Sequence, residues 1–299
     1  MIREVVLDQS QAPAARAALR KRLISGLGVG GFGLLVVSLG GWWFTAALGG
    51  MVHLGLLEFF RMAQFKGIRP ATKTTLVACQ LLLFTTQWAI QGGLPADVAH
   101  AVLPLSGAAI CGWLLLQPVT GSIADIAASI FGLFYLGFLP SHWLSLRGLD
   151  NGLEITLSAC LMIVATDIGS WAVGRRYGRR PLSPISPGKT IEGAIGGFIS
   201  AMLIGLICGQ LMGWALHGLP GLLLGALIAL FALVGDLTES MMKRDAGVKD
   251  SGDVLPGHGG ILDRIDSYLF TPAVVFYAIA LCQPLSLIHI SEPTRHHVI

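Results

Sequence analysis

About nine apolar stretches, each roughly 17–24 residues long, follow one another along this 299-residue chain and decide what it can fold into. They fall near residues 23–41, 43–61, 74–91, 99–117, 120–140, 153–174, 193–216, 220–239 and 267–284. A helix of such a length crosses the ~30 Å hydrocarbon core of a bilayer. Composition agrees. Hydrophobic residues make up 54% of the chain, charged residues only 12%, and mean hydropathy is +0.71, which describes a polytopic membrane protein and not a soluble domain of equal length. The expected fold is all-α, a polytopic transmembrane helical bundle. The net charge of +3 gives no reason to expect a nucleic-acid polymer as partner.

Basic residues orient the bundle. With a cytoplasmic N-terminus, the inside segments are 1–22, 62–73, the turn at Gln117-Pro118, 175–192 and 240–266. Counting Arg61, they hold 18 of the 20 Lys and Arg residues, and only Arg147 and Arg295 lie elsewhere. That asymmetry is what the positive-inside rule predicts. The chain then divides into a cytoplasmic arm (1–22), N-terminal transmembrane helices (23–150), a C-terminal transmembrane catalytic region (151–284) and a tail (285–299). The tail lacks periodicity and caps and reads as non-native, so His289, His296 and His297 are left out of any metal argument. Arg20-Lys21-Arg22 precedes an apolar stretch too long for a signal peptide, and an uncleaved first span is expected. Cys79, Cys111, Cys160, Cys208 and Cys282 all fall in apolar segments without paired spacing and read as small core residues.

Glycines four apart put small residues on one helix face, where backbones can approach closely: Gly26 with Gly30, Gly205 with Gly209 and Gly213, and Gly221 with Gly225. Five acids lie within spans, Glu58, Asp125, Asp167, Asp236 and Glu239, each costing on the order of 2.5–3.5 kcal/mol at a helix centre facing lipid. All five fall in the cytoplasmic halves of their helices. Asp167, Asp236 and Glu239, followed directly by polar loops, are expected to line a water-filled cavity. For Glu58 and Asp125, lining that cavity and reaching singly to the interface are both open.

Two polar segments carry candidate chemistry. The loop GRRYGRRPLSPISPGKTIEG opens with Arg175, Arg176, Arg179 and Arg180, read as anchors for anionic headgroups. Its Ser186-Pro187-Gly188-Lys189-Thr190 forms a turn whose amides and hydroxyls can face a phosphate, with Thr190 placed to open the next helix. The second segment, Asp236 to Asp266, holds seven carboxylates in 31 residues. Asp236 and Glu239 share a helix face, which Ser240 and Lys243 continue, and Asp263 and Asp266 stand where the last span begins. Acids on two helix ends suit Mg²⁺, a hard cation that takes oxygen ligands and keeps waters for phosphate to replace. Lys243, Arg244 and Lys249 can neutralise phosphate oxygens, and Pro256-Gly257-His258-Gly259-Gly260 is a turn a ligand can approach closely.

Ser240-Met241-Met242-Lys243-Arg244, Lys249-Asp250 and Leu255-Pro256-Gly257-His258-Gly259-Gly260-Ile261-Leu262-Asp263-Arg264-Ile265-Asp266 together resemble the signature of the phosphatidate cytidylyltransferases, or CDP-diacylglycerol synthases. Asp167-Ile168-Gly169-Ser170-Trp171 and Ser186 to Thr190 with Glu192-Gly193 are similar to the same pattern, so the resemblance covers most of 155–285. It implies transfer of the cytidylyl group of CTP to phosphatidic acid, giving CDP-diacylglycerol and pyrophosphate, with Mg²⁺ and room for a second cation. On that reading Asp236 and Asp263 are the primary metal ligands and Asp266 completes or bridges a second cation site. Lys243, Arg244 and Lys249 clamp triphosphate oxygens, while Lys189, Ser186 and Thr190 hold one phosphate. His258 either donates to departing pyrophosphate or makes a structural hydrogen bond, with Gly259 and Gly260 beside it. Asp167, Glu192 and Asp250 stand behind these groups and orient cations or cytidine, with Ser240 on the substrate side. The implied setting is a bacterial-type plasma membrane with the site on the cytoplasmic side, and a homodimer is one arrangement open to such a bundle. Two rival readings are a CTP-dependent polyprenol or phytol kinase and, more remotely, an ion-coupled membrane transporter.

Overall fold

The computed structural model describes residues 28, 30–117, 121–214, 216–252 and 259–290, with 282–290 as helix backbone only. Helices α1 (Gly30–Leu39) and α2 (Gly41–Phe65) are separated at Gly40, whose φ of 64° breaks the helical path. Then come α3 (Thr72–Ile90), α4 (Ala96–Leu115) and α5 (Ile123–Gly132). A π-helical segment, Leu133–Phe138, continues α5 into α6 (Leu139–Arg147). It lies just before Pro140, which has no N–H to return to the preceding turn. The chain goes on through α7 (Gly152–Tyr177), strands β1 (Pro181–Ser183) and β2 (Ser186–Thr190), α8 (Ile191–Leu211), α9 (Leu219–Asp245), α10 (Leu262–Leu269) and α11 (Thr271–Ile290).

Among the described residues, seven helical stretches are long and apolar enough to cross a membrane: α2, α4, Ile123–Arg147, α7, α8, Leu216–Asp245 and Leu262–Leu281. Helix α3 occupies the expected span at 74–91, but it buries polar Thr75, Thr85 and Gln87 against the protein. Large apolar side chains such as Trp43, Leu116, Ile123 and Leu211 face outward, where lipid is their natural solvent. The all-α expectation holds, and the chain is an integral membrane protein. The described strands form one antiparallel hairpin, β1 with β2. That hairpin stands where only a turn was expected. Helix α11 runs past the expected tail boundary to Ile290, and residues 291–299 and the arm 1–22 lie outside the described residues.

Among the described residues, the expected inside segments 62–73, 175–192 and 240–266 do gather at one end of the bundle. Lys66 pairs with Asp245 at 3.1 Å, the Arg69 amide donates to Asp125 at 2.6 Å, and Arg244 Nε approaches the Ile185 carbonyl at 3.5 Å. Arg147 is at the opposite end, donating to the carbonyls of Val37 and Ser38. Asp125 does not share a cavity with Asp167 and Asp236 and is not a lone interfacial acid: it lines a separate hollow with Arg69 and Gln117, forms a capping box with Ser122 at the start of α5 and takes the Arg69 amide.

Glycine decides how the C-terminal helices meet. A Cβ on Gly205 of α8 would overlap the Gly221 carbonyl of α9, a Cβ on Gly221 would overlap that of Gly205, and one on Gly225 would overlap that of Ala201. Gly213 does not share this face; with φ 66° it ends α8. Gly30 meets nothing within 4 Å, and Gly26 lies outside the described residues.

A buried carboxylate ties the two halves together at the start of α10. Helix α10 begins at Ile261, which offers no side-chain cap, so its first amides need partners from elsewhere. Glu58 of α2, 5% exposed, provides them: Oε1 accepts from the Ile261 amide and Oε2 from the Leu262 amide, both at 2.9 Å. The Ser251 hydroxyl also lies 2.9 Å from Oε2. The carboxylate is packed against Gly252 and Gly260, and a Cβ on either would run into it. Between the halves lies a core of Leu56, Phe60, Tyr135, Leu136, Met162, Ile163, Ile228 and Leu262.

Glu58→Ala leaves the Ile261 and Leu262 amides unpaired, at about 1–3 kcal/mol each, and should lower stability by at least ~2 kcal/mol. Glu58→Gln keeps one acceptor oxygen and should lose less; thermal unfolding in detergent measures both. Gly205→Ala should cost about 1–3 kcal/mol by forcing α8 from α9, whereas Gly30→Ala should leave the melting temperature unchanged.

Candidate active site

Four helices, α7, α8, α9 and α10, and the hairpin enclose a cavity of about 410 Å³. Its lining includes Asp167, Trp171 and Arg175 from α7, Lys189 from β2, Phe198 from α8 and Asp236 from α9. The hairpin turns Lys189 inward, and its ammonium pairs directly with Asp236. Thr190 follows at once and caps α8, its Oγ1 accepting from the Gly193 amide at 3.1 Å. Glu192 accepts from the amides of Arg179 and Arg180 at 3.0 and 3.3 Å, so it fastens the hairpin's entry. Ser186 pairs with Ser183 across the hairpin. Two sequence motifs more than forty residues apart, around Lys189 and Asp236, thus become one wall.

Helix α10 completes the polar end. Gly235 of α9 lies so close to it that a Cβ would overlap the Asp266 carbonyl, which brings Asp266 beside Asp236. The charges of Asp236, Lys189 and Asp167 all act on Asp266, whose Oδ1 also accepts from the Ser267 amide at 2.6 Å. This first cluster sets three carboxylates against one ammonium.

A second cluster lies one turn further along α9. Lys243 Nζ sits 2.5 Å from Glu239 and 2.6 Å from Asp263 Oδ1. Asp263 Oδ2 accepts from the Ser251 and Gly260 amides, each at 2.9 Å, and the Ser251 hydroxyl is 3.0 Å away. Ser251 therefore stands between Asp263 and Glu58. Gly259, φ 78°, brings the chain into this turn against Asp263. Glu239 is fully buried, and its Oε1 has no hydrogen-bond partner among the described residues. Ser240 is buried beside it, while Arg244, Lys249 and Asp250 are exposed. His258 lies outside the described residues.

The proposed ligands Asp236, Asp263 and Asp266 do not form one group. Asp236 and Asp266 fall in the first cluster, while Asp263 is taken up by Lys243, Ser251 and Gly260. Among the described residues, no three His, Cys, Asp or Glu side chains are arranged to hold a metal ion. The donor set of the first cluster still fits Mg²⁺: it is all oxygen and carries negative charge in excess of its lysine, and further along α9 the Glu239 Oε1 has no partner among the described residues. Mg²⁺ is commonly held by one or two carboxylates and completed by phosphate oxygens, so a three-acid cage is not required.

Three residues stand in the site in roles that the sequence does not display. Ser251 lies within the polar segment but was passed over between Asp250 and Asp253. Arg175 was read as a headgroup anchor; it lines the cavity, with its guanidinium 5.4 Å from the Trp171 ring centroid. Glu58 was noted for its cost in lipid, and its place beneath α10 depends on contacts some 200 residues away.

The model of the Cytidylyltransferase family matches residues 20–282. The chain is 43% identical over 281 residues to the phosphatidate cytidylyltransferase of Synechocystis sp., covering 85% of this chain and 93% of that protein. It is 36% identical over 290 residues to phosphatidate cytidylyltransferase 4, chloroplastic, of Arabidopsis thaliana, covering 86% of this chain and 72% of that protein. With the phosphatidate cytidylyltransferase of Bacillus subtilis it shares 32% identity over 269 residues, or 88% and 98% of the two chains. The family model's match across almost the whole length and the identities with these relatives place this chain in the cytidylyltransferase family.

Proposed function

We propose that this protein transfers the cytidylyl group of CTP to phosphatidic acid, forming CDP-diacylglycerol and pyrophosphate at the cytoplasmic face of a bacterial-type plasma membrane. The observation that carries the reading is the meeting of Lys189 with Asp236 in a cavity of about 410 Å³ at one end of a membrane-spanning bundle. A polar end holding cations and carboxylates suits a triphosphate and a headgroup. The apolar walls around Trp171, Phe198 and Leu233 suit the first part of an acyl chain.

The phosphate of phosphatidic acid carries between one and two negative charges near neutral pH, having a second pKa of roughly 6. One of its oxygens attacks the α-phosphorus of CTP, a new P–O bond forms, and the bond from that phosphorus to the bridging oxygen breaks. The electron pair leaves on pyrophosphate. No strong base is needed; the chain must hold two anions together and stabilise the departing one. Lys189 releases Asp236 to take a phosphate oxygen, and Arg175 adds a second positive charge at the cavity wall. Lys243, with Arg244 and Lys249 near it in sequence, faces the triphosphate, and Asp263 and Glu239 hold its ammonium in place. Asp236 and Asp266 would hold Mg²⁺, which would supply charge neutralisation at the triphosphate. Asp167 orients Lys189 from the facing helix.

CTP labelled at the α-phosphate should mark the lipid product, with equal release of pyrophosphate. Label entering the lipid only from the γ-phosphate would make the protein a kinase, and no CTP turnover at all would remove the enzymatic reading. Asp236→Asn should cut turnover by roughly 10²–10³-fold with little change in melting temperature. Asp263→Asn should lose both activity and stability, because its Oδ2 also serves as acceptor for Ser251 and Gly260.

A further inference from the structure

Tyr135 is the residue on the π-helical segment that the function described so far does not use. Its side chain is fully buried. The ring is held by Phe131, stacked at 5.1 Å, and by Phe270, tilted at 5.5 Å. Its hydroxyl has no hydrogen-bond partner among the described residues. An unpaired buried hydroxyl costs about 1–3 kcal/mol, and phenylalanine would fill the same space without that cost. Irregular helical turns of this kind are frequent at functional sites, where they redirect a side chain.

The packing sets the ring against the helix that carries Asp266. Phe270, which touches the Tyr135 ring, follows Asp266 by four residues, one turn along the same side of the chain at the end of α10. Asp266 in turn stands beside α9, where a Cβ on Gly235 would overlap its carbonyl. The unpartnered phenol is therefore packed from the N-terminal half against the chain segment that bears Asp266. Phenol is the neutral donor suited to a carboxylate whose other side is turned to a ligand.

Resting on the cytidylyl-transfer reading, we propose that Tyr135 is a positioning residue of this site: in the substrate-loaded protein its hydroxyl donates to the Asp266 carboxylate and fixes the orientation in which that carboxylate serves the bound phosphates. Asp266 has one oxygen on the Ser267 amide and needs a second contact to stop rotation about its own side chain. Tyr135 supplies that contact from a ring already immobilised by two aromatic neighbours, so little side-chain entropy is lost in making it.

The test is Tyr135→Phe in the full chain in detergent, read by thermal unfolding, by turnover and by the melting-temperature rise on adding CTP with Mg²⁺. The variant should melt at or above the wild-type temperature. It should turn over roughly 10-fold more slowly, need more Mg²⁺ for half-maximal rate, and show a smaller ligand-induced rise. In the cycle with Asp266→Asn, the second substitution should add little to the first. Wild-type turnover together with a wild-type ligand-induced rise would overturn the inference, and so would a fall in melting temperature large enough to account for lost activity, or full additivity with Asp266→Asn. Failure of the wild-type protein to transfer α-label would instead sink the reading on which it rests, and the ligand-induced rise would still report on Tyr135.

Discussion

The carboxylate of Glu58 beneath α10 is the contact on which the rest of the polar end depends. A helix end inside a membrane protein has no bulk water to satisfy its first amides, and α10 brings no capping side chain of its own. A carboxylate from α2 satisfies two of them, favoured by the positive end of the helix dipole. The same group meets Ser251, and Ser251 meets Asp263. The turn before α10 is therefore tied to the N-terminal half of the protein, and its glycines are there because a Cβ would strike the carboxylate.

From that anchor the site is an exercise in placing charge where charge is expensive. Each lysine meets its acids at the end of a helix, Lys189 with Asp236 and Lys243 with Glu239 and Asp263. In both clusters acids outnumber lysines, which leaves a negative excess for cations arriving with nucleotide to offset. The lysines in turn are held near the place where phosphate must sit. Glycine contacts between α8 and α9 give the cavity its walls, since lipid provides no hydrophobic drive between helices and close backbone packing has to do so instead.

Legibility in the sequence followed the range of the interaction. Long apolar stretches marked the helices, and the distribution of Lys and Arg foretold which loops would share one end of the bundle. Lys66 with Asp245 and Arg244 with Ile185 bear this out. Thr190 as a helix cap was readable because its partner is three residues away. The hairpin was not, because strands of three and five residues are too short to display a period. Gly213 and Gly30 carried the same spacing as Gly205 and Gly209 but have no facing helix. Tyr135 lay in an apolar run and looked like core, which its ring is, while its hydroxyl is not.

The sequence by itself determined that this chain spans a membrane, which loops lie together, and that its chemistry concerns phosphate, because hydropathy, charge bias and a dense motif are properties of single segments. Only the tertiary structure decided the partners: that Glu58 caps α10, that Asp125 caps α5, and that Asp236 and Asp266 stand apart from Asp263. A buried carboxylate takes whichever donor the packing brings within hydrogen-bonding distance, and which donor that is depends on how helices far apart in the chain are set against one another.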